Sequence, residues 1–402
     1  MSPIKTLLTC LLCCTLACGC RRKEQAVIVV RQTTAQAPET DPQIVEFRPL
    51  ARLVANRATH LAADSLGNVY WTQETPSGQD TLFVAGQDDI PQPIQLTTSA
   101  IIAALGPPNS PESGVSLSAT APNIASGNIQ SIALDSDDNI LFFFNGGIGR
   151  STCICLGTFN PRDQSIHILA GTPLLAAQDQ MGTSIGLAQG QIILPTTPRA
   201  NAPMRYWLWL HHSDAAVFLR FDPRAVEPGQ PVELSPAFDH LSGDGAPANL
   251  TDDRLAFSAG EAESLWMIDW RTAWLWRVDE NGVATKWMTL LGLPRELSAL
   301  TARDHGIAIA FAPAGEPAAG SEDDQESLKY AHFLNVHYPA LIAIAQDSVS
   351  PIAAKEDMHG PPEVNIAKLR LQQFLPTSKS REWIGYDAAS GMLMRIRLTP
   401  KS

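Results

Sequence analysis

The chain has 402 residues, 45% hydrophobic and 17% charged, which is apolar material for a large core and enough polar surface to be soluble once a leader is set aside. Its 29 basic residues face 41 acidic ones, a formal net charge of -12 that no local Lys/Arg stripe offsets. Such a surface repels phosphate backbones, so nucleic acid is not an expected partner, and length alone allows one large β domain or two smaller ones.

After Met1-Ser2-Pro3-Ile4-Lys5, the stretch from Thr6 to Gly19 carries no charge. A short positive start followed by an apolar run too brief for a membrane span reads as an export signal, expected to be removed. Leu16-Ala17-Cys18-Gly19-Cys20 resembles the lipobox of bacterial lipoproteins, where a small residue precedes the Cys that becomes the lipidated first residue of the mature chain. Cys20 fits, with Gly19 before it and Ala17 three positions upstream, while Cys18 would put the bulky Leu16 where a small residue usually stands. A plain cleaved secretion signal is the competing reading. The resemblance implies a signal peptide over 1–19, a lipidated tether over 20–43 and a folded part over 44–400, anchored in a bacterial cell envelope and lying outside the cytoplasm. Arg21-Arg22-Lys23 would add a basic patch to the acyl chains, the two-signal combination that gives durable anchoring. The mature chain keeps only Cys20, Cys153 and Cys155, too few for a disulfide framework.

The polar, proline-containing stretch from Glu24 to Gln43 has no period that folds alone and reads as a spacer. Ile44-Val45-Glu46-Phe47-Arg48 is close to period two and stops at Pro49, a strand whose partner must lie elsewhere. From Leu61 a hairpin with an Asp64-to-Asn68 turn leads to Asp80–Ala85 and Pro93–Leu96, giving four short strands, the content of one propeller blade. A long connection, Thr97 to Gly127, is rich in Ser, Pro, Ala and Gly. A second unit repeats the hairpin from Ile132, with its turn from Asp135 to Asn139, and runs through Cys153 to an alternating strand ending at Leu169. A third places a short-turned hairpin at Ser184–Leu194, then Tyr206–Leu210 and Ala216–Phe221. A fourth runs from Arg254 through Leu265–Asp269, Trp274–Val278 and the tight-turn pair Asn281-Gly282 to Met288. A fifth begins at Ala299–Phe311, carries an acidic insertion at Ser321–Glu326, and has its outer strands at His332–Val336 and Ala340–Ile344. The sixth holds Leu369–Phe374, Glu382–Asp387 and Met392–Leu398, one strand short. The unpartnered Ile44–Arg48 strand is expected to complete it, bringing Glu46 near Arg395 or Arg397 and shielding the sheet edge.

Leu61-Ala62-x-Asp64-x-x-Gly67-Asn68-Val69-Tyr70 and Ile132-Ala133-x-Asp135-x-x-x-Asn139-Ile140-Leu141 resemble the signature of NHL-repeat β-propellers, and Ser242-Gly243-Asp244-Gly245-Ala246-Pro247-Ala248 resembles the Gly/Asp loop before blades in bacterial members of that group. The resemblance implies an all-β, six-bladed β-propeller, with seven blades as the competitor. It further implies a scaffold used mostly for binding, with enzymes a minority among relatives.

Asp135, Asp137 and Asn139 invite a calcium reading, since alternating carboxylates on a tight loop can supply hard oxygen ligands, but the matching turn at Asp64 lacks the extra carboxylates and argues for a capped turn. Cys153 and Cys155 share one strand face and suit a soft metal or redox pair, with small buried side chains as the simpler account. Trp207, Trp209, Trp266, Trp274 and Trp276 read as core, whereas Trp270, in a turn, is a candidate exposed contact for a ligand, as is Asp244. His211-His212 with Asp214 reads as a solvated loop rather than a metal pair. No G-x-S-x-G, H-E-x-x-H or P-loop motif is present. The expectation is therefore a binding or scaffold module for a protein, peptide or glycan, favoured over an enzyme and needing no cofactor. The alternative is a calcium-dependent hydrolase or lactonase, implied by related six-bladed propellers, for which Asp135 or Asp304 would have to point into the central channel.

Overall fold

The computed structural model describes residues 43–54, 60–74, 80–105, 125–148, 151–171, 189–193, 205–211, 215–224, 232–251, 255–260, 263–269, 272, 274–289, 298–303, 307–313, 339–345, 348–379 and 381–401. The first strand, β1 (Gln43–Arg52), belongs to the last blade. Blade one is β2 (Leu61–Ala63), β3 (Val69–Glu74), β4 (Asp80–Ala85) and β5 (Pro91–Thr97). Blade two is β6 (Ala125–Leu134), β7 (Ile140–Ile148), β8 (Ser151–Phe159) and β9 (Ile166–Gly171). Blade three is β10 (Gln189–Ile193), β11 (Tyr206–His211), β12 (Ala216–Phe221) and β13 (Ser235–Phe238). Blade four is β14 (Leu255–Ala259), β15 (Leu265–Asp269), β16 (Trp274–Val278) and β17 (Ala284–Thr289). Blade five is β18 (Ser298–Arg303), β19 (Ile307–Ala312), β20 (Ala340–Ala345) and β21 (Ser348–Ala353). The sixth sheet has the order β22-β1-β25-β24-β23, from β22 (Met358–His359), β23 (Leu371–Pro376), β24 (Glu382–Asp387) and β25 (Met392–Pro400).

In each blade, successive strands pair antiparallel, and the innermost strands touch around a circle: β2 with β6, β6 with β10, β10 with β14, β14 with β18, β18 with β23, and β23 with β2. That closes a six-bladed ring and decides against seven. Because strands alternate in direction, the turns after the first and third strands of every blade gather on one face, here the turn face, and those after the second strands on the other.

Blades bury both sides, so central strands lose the in/out alternation of a half-exposed sheet. Tyr206–Leu210 is buried throughout. Apolar clusters fill the wedges between neighbours: Phe142, Phe144, Cys153 and Cys155 against Ala62, Tyr70 and Leu82, then Phe143 and Leu156 against Tyr206 and Leu208, then Trp207 and Phe218 against Phe257 and Met267. Each Phe, Leu or Met side chain among them, fully buried, stabilises by about 1.5–3 kcal/mol.

As the sequence requires, β1 closes the ring. It pairs antiparallel with β25, Val45 opposite Leu398 and Phe47 opposite Ile396, and both side chains enter the core shared with blade five. Glu46 stands opposite Arg397, but the carboxylate that holds Arg397 is Glu382, through Nη2 to Oε2 at 2.8 Å. Arg395, with its side chain only 5% exposed, donates to Glu382 Oε1 at 3.1 Å, to Asp89 Oδ1 at 2.7 Å and to the Gly86 carbonyl at 2.9 Å. Arg48 of β1 lies 3.0 Å from the other Asp89 oxygen. One charge cluster, buried at Arg395, Glu382 and Asp89 and open to solvent at Arg48, therefore joins β1, β24 and β25 to the outer turn of blade one.

The structure departs from the sequence reading in three places. In the third unit, the residues expected to form a hairpin supply one described strand, β10, whose partner is β11; 184–188 and 194 lie outside the described residues. In the fifth, Ala340–Ala345 is the third strand and Ser348–Ala353 the outermost, while the expected strand at His332–Val336 and the acidic insertion lie outside the described residues. Polar content and Pro351 hide β21 from a pattern search, and an edge strand is where proline is tolerated. In the connection after blade one, Thr97 caps a short helix, Thr98–Ala104, that buries Ile101 and Ile102. Among the described residues no helix is long and apolar enough to cross a membrane.

Replacing Glu382 by Gln leaves the buried Arg395 charge with Asp89 as its one remaining carboxylate partner and removes a charge-assisted hydrogen bond, with an expected loss of about 1.5–3 kcal/mol in urea unfolding at pH 7. Burial alone would raise the Glu382 pKa, but the Arg397 hydrogen bond and the Arg395 charge hold it below the ordinary 4.5. Desolvation of the half-buried His60 imidazole lowers its pKa from 6.5 to about 4. Both shifts are downward, so both contributions are complete above the unfolded values and fade as pH falls through the folded ones. Unfolding free energy measured from pH 7 to 3 should drop first between 6.5 and about 4, a limb removed by His60→Gln, and again below 4.5, a limb removed by Glu382→Gln.

Candidate functional site

Two sequence-equivalent turns sit side by side on the turn face. In blade one the Asp64 carboxylate accepts from the Leu66 and Asn68 amides at 3.0 and 2.8 Å, from Asn68 Nδ2 at 2.6 Å and from the Tyr70 hydroxyl at 3.0 Å. In blade two the Asp135 carboxylate accepts from the Asp137 and Asn139 amides at 2.8 and 2.9 Å and from Asn139 Nδ2 at 2.9 Å. Short polar side chains thus replace backbone partners that a tight reversal leaves unmet. The fourth residue of each turn is left-handed: Gly67 at φ +82°, Asp138 at +62°. Gly67 also lies under the Lys379 side chain of blade six, where a Cβ would stand 3.2 Å from Cε.

Between these turns and the outer turn of blade two is a cavity of about 310 Å³. Blade one lines it with Asp64, Leu66, Asn68 and Tyr70; the inner turn of blade two adds Asp137, Asp138 and Asn139; its outer turn adds Asn160, Pro161 and Arg162. The carboxylates are not equivalent. Asp64 is buried and committed to its turn, and Asp138 accepts from the Ser65 amide at 2.9 Å and the Ser65 hydroxyl at 2.5 Å. Asp137 is exposed, and among the described residues its carboxylate has no hydrogen-bond partner. Arg162 is likewise exposed, its amide held by Asn160 Oδ1 at 2.9 Å. Burial, and then the charge of Asp64, push the Tyr70 hydroxyl pKa upward, so Tyr70 is a donor rather than a base.

Of the residues marked in the sequence, the structure brings Asp137 and Asn139 to the cavity with Asp135 beneath them. They do not form a calcium set: Asp135 spends its oxygens on three donors of its own turn, and among the described residues no three His, Cys, Asp or Glu side chains converge to hold a metal ion. Asp244 is exposed on a loop tied to blade four by Ser242–Ala284 and Ser242–Gly282 backbone bonds, and does not line the cavity. Cys20, Trp270, Asp304, His212 and Asp214 lie outside the described residues. His211 ends β11 and stacks on Trp209 at 4.1 Å. Cys153 and Cys155 are free and buried, and burial pushes the Cys153 thiol up to about 11 and Cys155 well above its ordinary value, which suits packing rather than redox work. Trp207, Trp209, Trp266 and Trp276 are buried, while Trp274 is half-buried with Lys286 Nζ 5.4 Å from its ring. Tyr70, Asn160 and Arg162 escaped the sequence reading; Asn160 heads a turn of the Asx type, but nothing local places it beside Asp64.

No protein-family model matches the sequence, and no curated protein does. Solved structures of similar shape include a Bacteroides thetaiotaomicron protein of unknown function (10% identity, 89% of this chain and 76% of that one, TM-score 0.46). They also include a Xanthomonas campestris gluconolactonase (10% identity, 87% and 89%, TM-score 0.45) and an inactivated Staphylococcus aureus virginiamycin B lyase with quinupristin (9% identity, 89% and 100%, TM-score 0.42). At such identities and scores the likeness is one of shape, and nothing about the chemistry of this chain follows from it. It does correct two expectations from the sequence, that a binding scaffold is to be emphasised and that an enzyme is disfavoured: rings of this form include proteins named as enzymes, so the architecture gives no ground for leaning away from catalysis.

Asp64→Ala leaves two amides and a buried phenol without their acceptor, and is expected to destabilise by about 2–3 kcal/mol in chemical unfolding. An unchanged midpoint would mean that the turn does not depend on its carboxylate.

Proposed function

We propose that this chain is a hydrolase of the six-bladed propeller type that opens a small polyhydroxylated lactone or ester in the cavity between blades one and two. The observation that carries this reading is the division of labour among the cavity carboxylates: one exposed and uncommitted, Asp137, lining the same cavity as the exposed Arg162, with the others tied into turns. A volume of about 310 Å³ falls at the small end of small-molecule sites. Asn68, Asn139 and Asn160 offer amides to hydroxyl groups, and Leu66 and Tyr70 supply apolar contact.

In this reading Asp137 is the general base. It takes a proton from a water as the water oxygen bonds to the ester carbonyl carbon, and Arg162 stabilises the resulting oxyanion. Collapse breaks the carbon–oxygen bond of the ester, and the departing alkoxide recovers the proton from Asp137. No step is routed through calcium, because Asp135 does not fit the role of ligand.

We propose further that the ring is carried on lipidated Cys20 at a bacterial envelope. Gln43 lies opposite Pro400, at the turn-face end of β25, so a tether entering there meets the ring on the face that bears the cavity.

The purified protein should hydrolyse D-glucono-1,5-lactone or p-nitrophenyl acetate above the uncatalysed rate. Asp137→Asn should cut kcat/KM by about 10²–10⁴-fold without moving the melting temperature, since the side chain is exposed. An Asp137→Asn enzyme as active as the parent would overturn the assignment. Labelling cells with a clickable palmitate analogue should mark the full chain and fail to mark Cys20→Ala; equal labelling would refute the anchor.

A further inference from the structure

Asp138 is in a backbone conformation its turn does not need from an aspartate. The equivalent residue of blade one is glycine, and the two turns otherwise share their cap. A non-glycine residue at φ +62° costs about 1–2 kcal/mol. Its carboxylate is not used within its own turn. It reaches across the blade boundary and accepts both the amide and the hydroxyl of Ser65, two bonds to an ionised acceptor. Ser65 is exposed and Asp138 half-buried, so the contact contributes little to global stability. What it does fix is the spacing of the two neighbouring turns that together form one side of the cavity, and the residue preceding Asp138 is Asp137.

We infer that Asp138 and Ser65 are positioning residues: the clasp between them holds the Asp137 carboxylate over the cavity, in the orientation its role as base requires. This rests on the hydrolase reading above. A shift of about 1 Å in a reacting group is enough to cost up to 10²-fold in rate, so an exposed base on a turn needs such a brace.

The test uses the full chain and the D-glucono-1,5-lactone assay on four variants. Asp138→Gly keeps the left-handed turn and removes the brace, Ser65→Ala removes the hydroxyl donor, Asp138→Asn keeps an acceptor, and Asp137→Asn removes the base. Asp138→Gly is expected to melt at or above the parent temperature yet lose about 10-fold in kcat with KM within 2-fold, with a smaller loss in Ser65→Ala and in Asp138→Asn. Amide hydrogen exchange at Ser65 should accelerate in Asp138→Gly. Parent kcat in both Asp138→Gly and Ser65→Ala, alongside an inactive Asp137→Asn, would overturn the positioning role, as would unchanged Ser65 exchange. An Asp137→Asn as active as the parent would instead overturn Asp137 as the base and with it the brace, and a parent that does not hydrolyse the lactone would overturn the hydrolase reading beneath both.

Discussion

The structure depends on one junction, the antiparallel seam between β1 and β25 with the buried charge cluster centred on Arg395. A propeller blade has two free edges and two faces, and only a closed circle covers all the faces. Blades one to five are each built from one continuous stretch, so every wedge between them forms between neighbours in sequence. The last wedge, between blades six and one, unites residues some three hundred positions apart. Arg395 serves that wedge from both sides, ion-paired to Glu382 within its own sheet and to Asp89 across the boundary. The pairing is oriented: Arg48 approaches the same Asp89, so the closing strand and the first blade are registered by one carboxylate. Hydrophobic contact supplies the energy of closure, from Leu50 of β1 packed with Trp71, Tyr386 and Leu393 in this wedge and from Val45 and Phe47 in the wedge to blade five, and the charges supply its register.

The same ring explains why a site can arise where it does. Turns that cap neighbouring blades are brought together on one face by the circular arrangement, and they carry polar residues because short reversals need side-chain acceptors. Asp64 and Asp135 serve that structural end, which leaves the positions between them free to vary. Blade one fills them with Ser65 and Leu66, blade two with Ser136 and Asp137, and the cavity lies where these differences meet. A repeat thus places variable side chains on an invariant frame.

Much of this was legible in the sequence. The two copied hairpins, the Asn281-Gly282 turn and the stray Ile44–Arg48 strand each had a local pattern, and together they required a ring closed by its own N-terminal strand. What escaped had physical reasons. The outermost strand of blade five carries Pro351 and polar residues because an edge makes few demands on either face. Blades four and six share a further turn cap, Asp269 with Thr272 at 2.6 Å and Asp387 with Ser390 at 2.5 Å, whose spacing was visible but whose meaning appears only when both Asp residues end the second strand of a blade. The cavity could not be read because its walls come from three turns spread over about a hundred residues. The capped turn at Asp135, favoured over a calcium loop by its likeness to the turn at Asp64, is what the structure shows, although a run of carboxylates does not by itself say which of their oxygens the backbone has claimed.

The most direct measurement of the central claim compares urea unfolding of two chains, one beginning at Gln43 and one at Leu53. The account predicts a single cooperative transition for the first and, for the second, a loss of cooperativity with binding of a hydrophobic dye, because β25 is left with an open edge and Val45 and Phe47 are missing from their wedge. A shorter chain that unfolds in one transition at the midpoint of the longer one would contradict it.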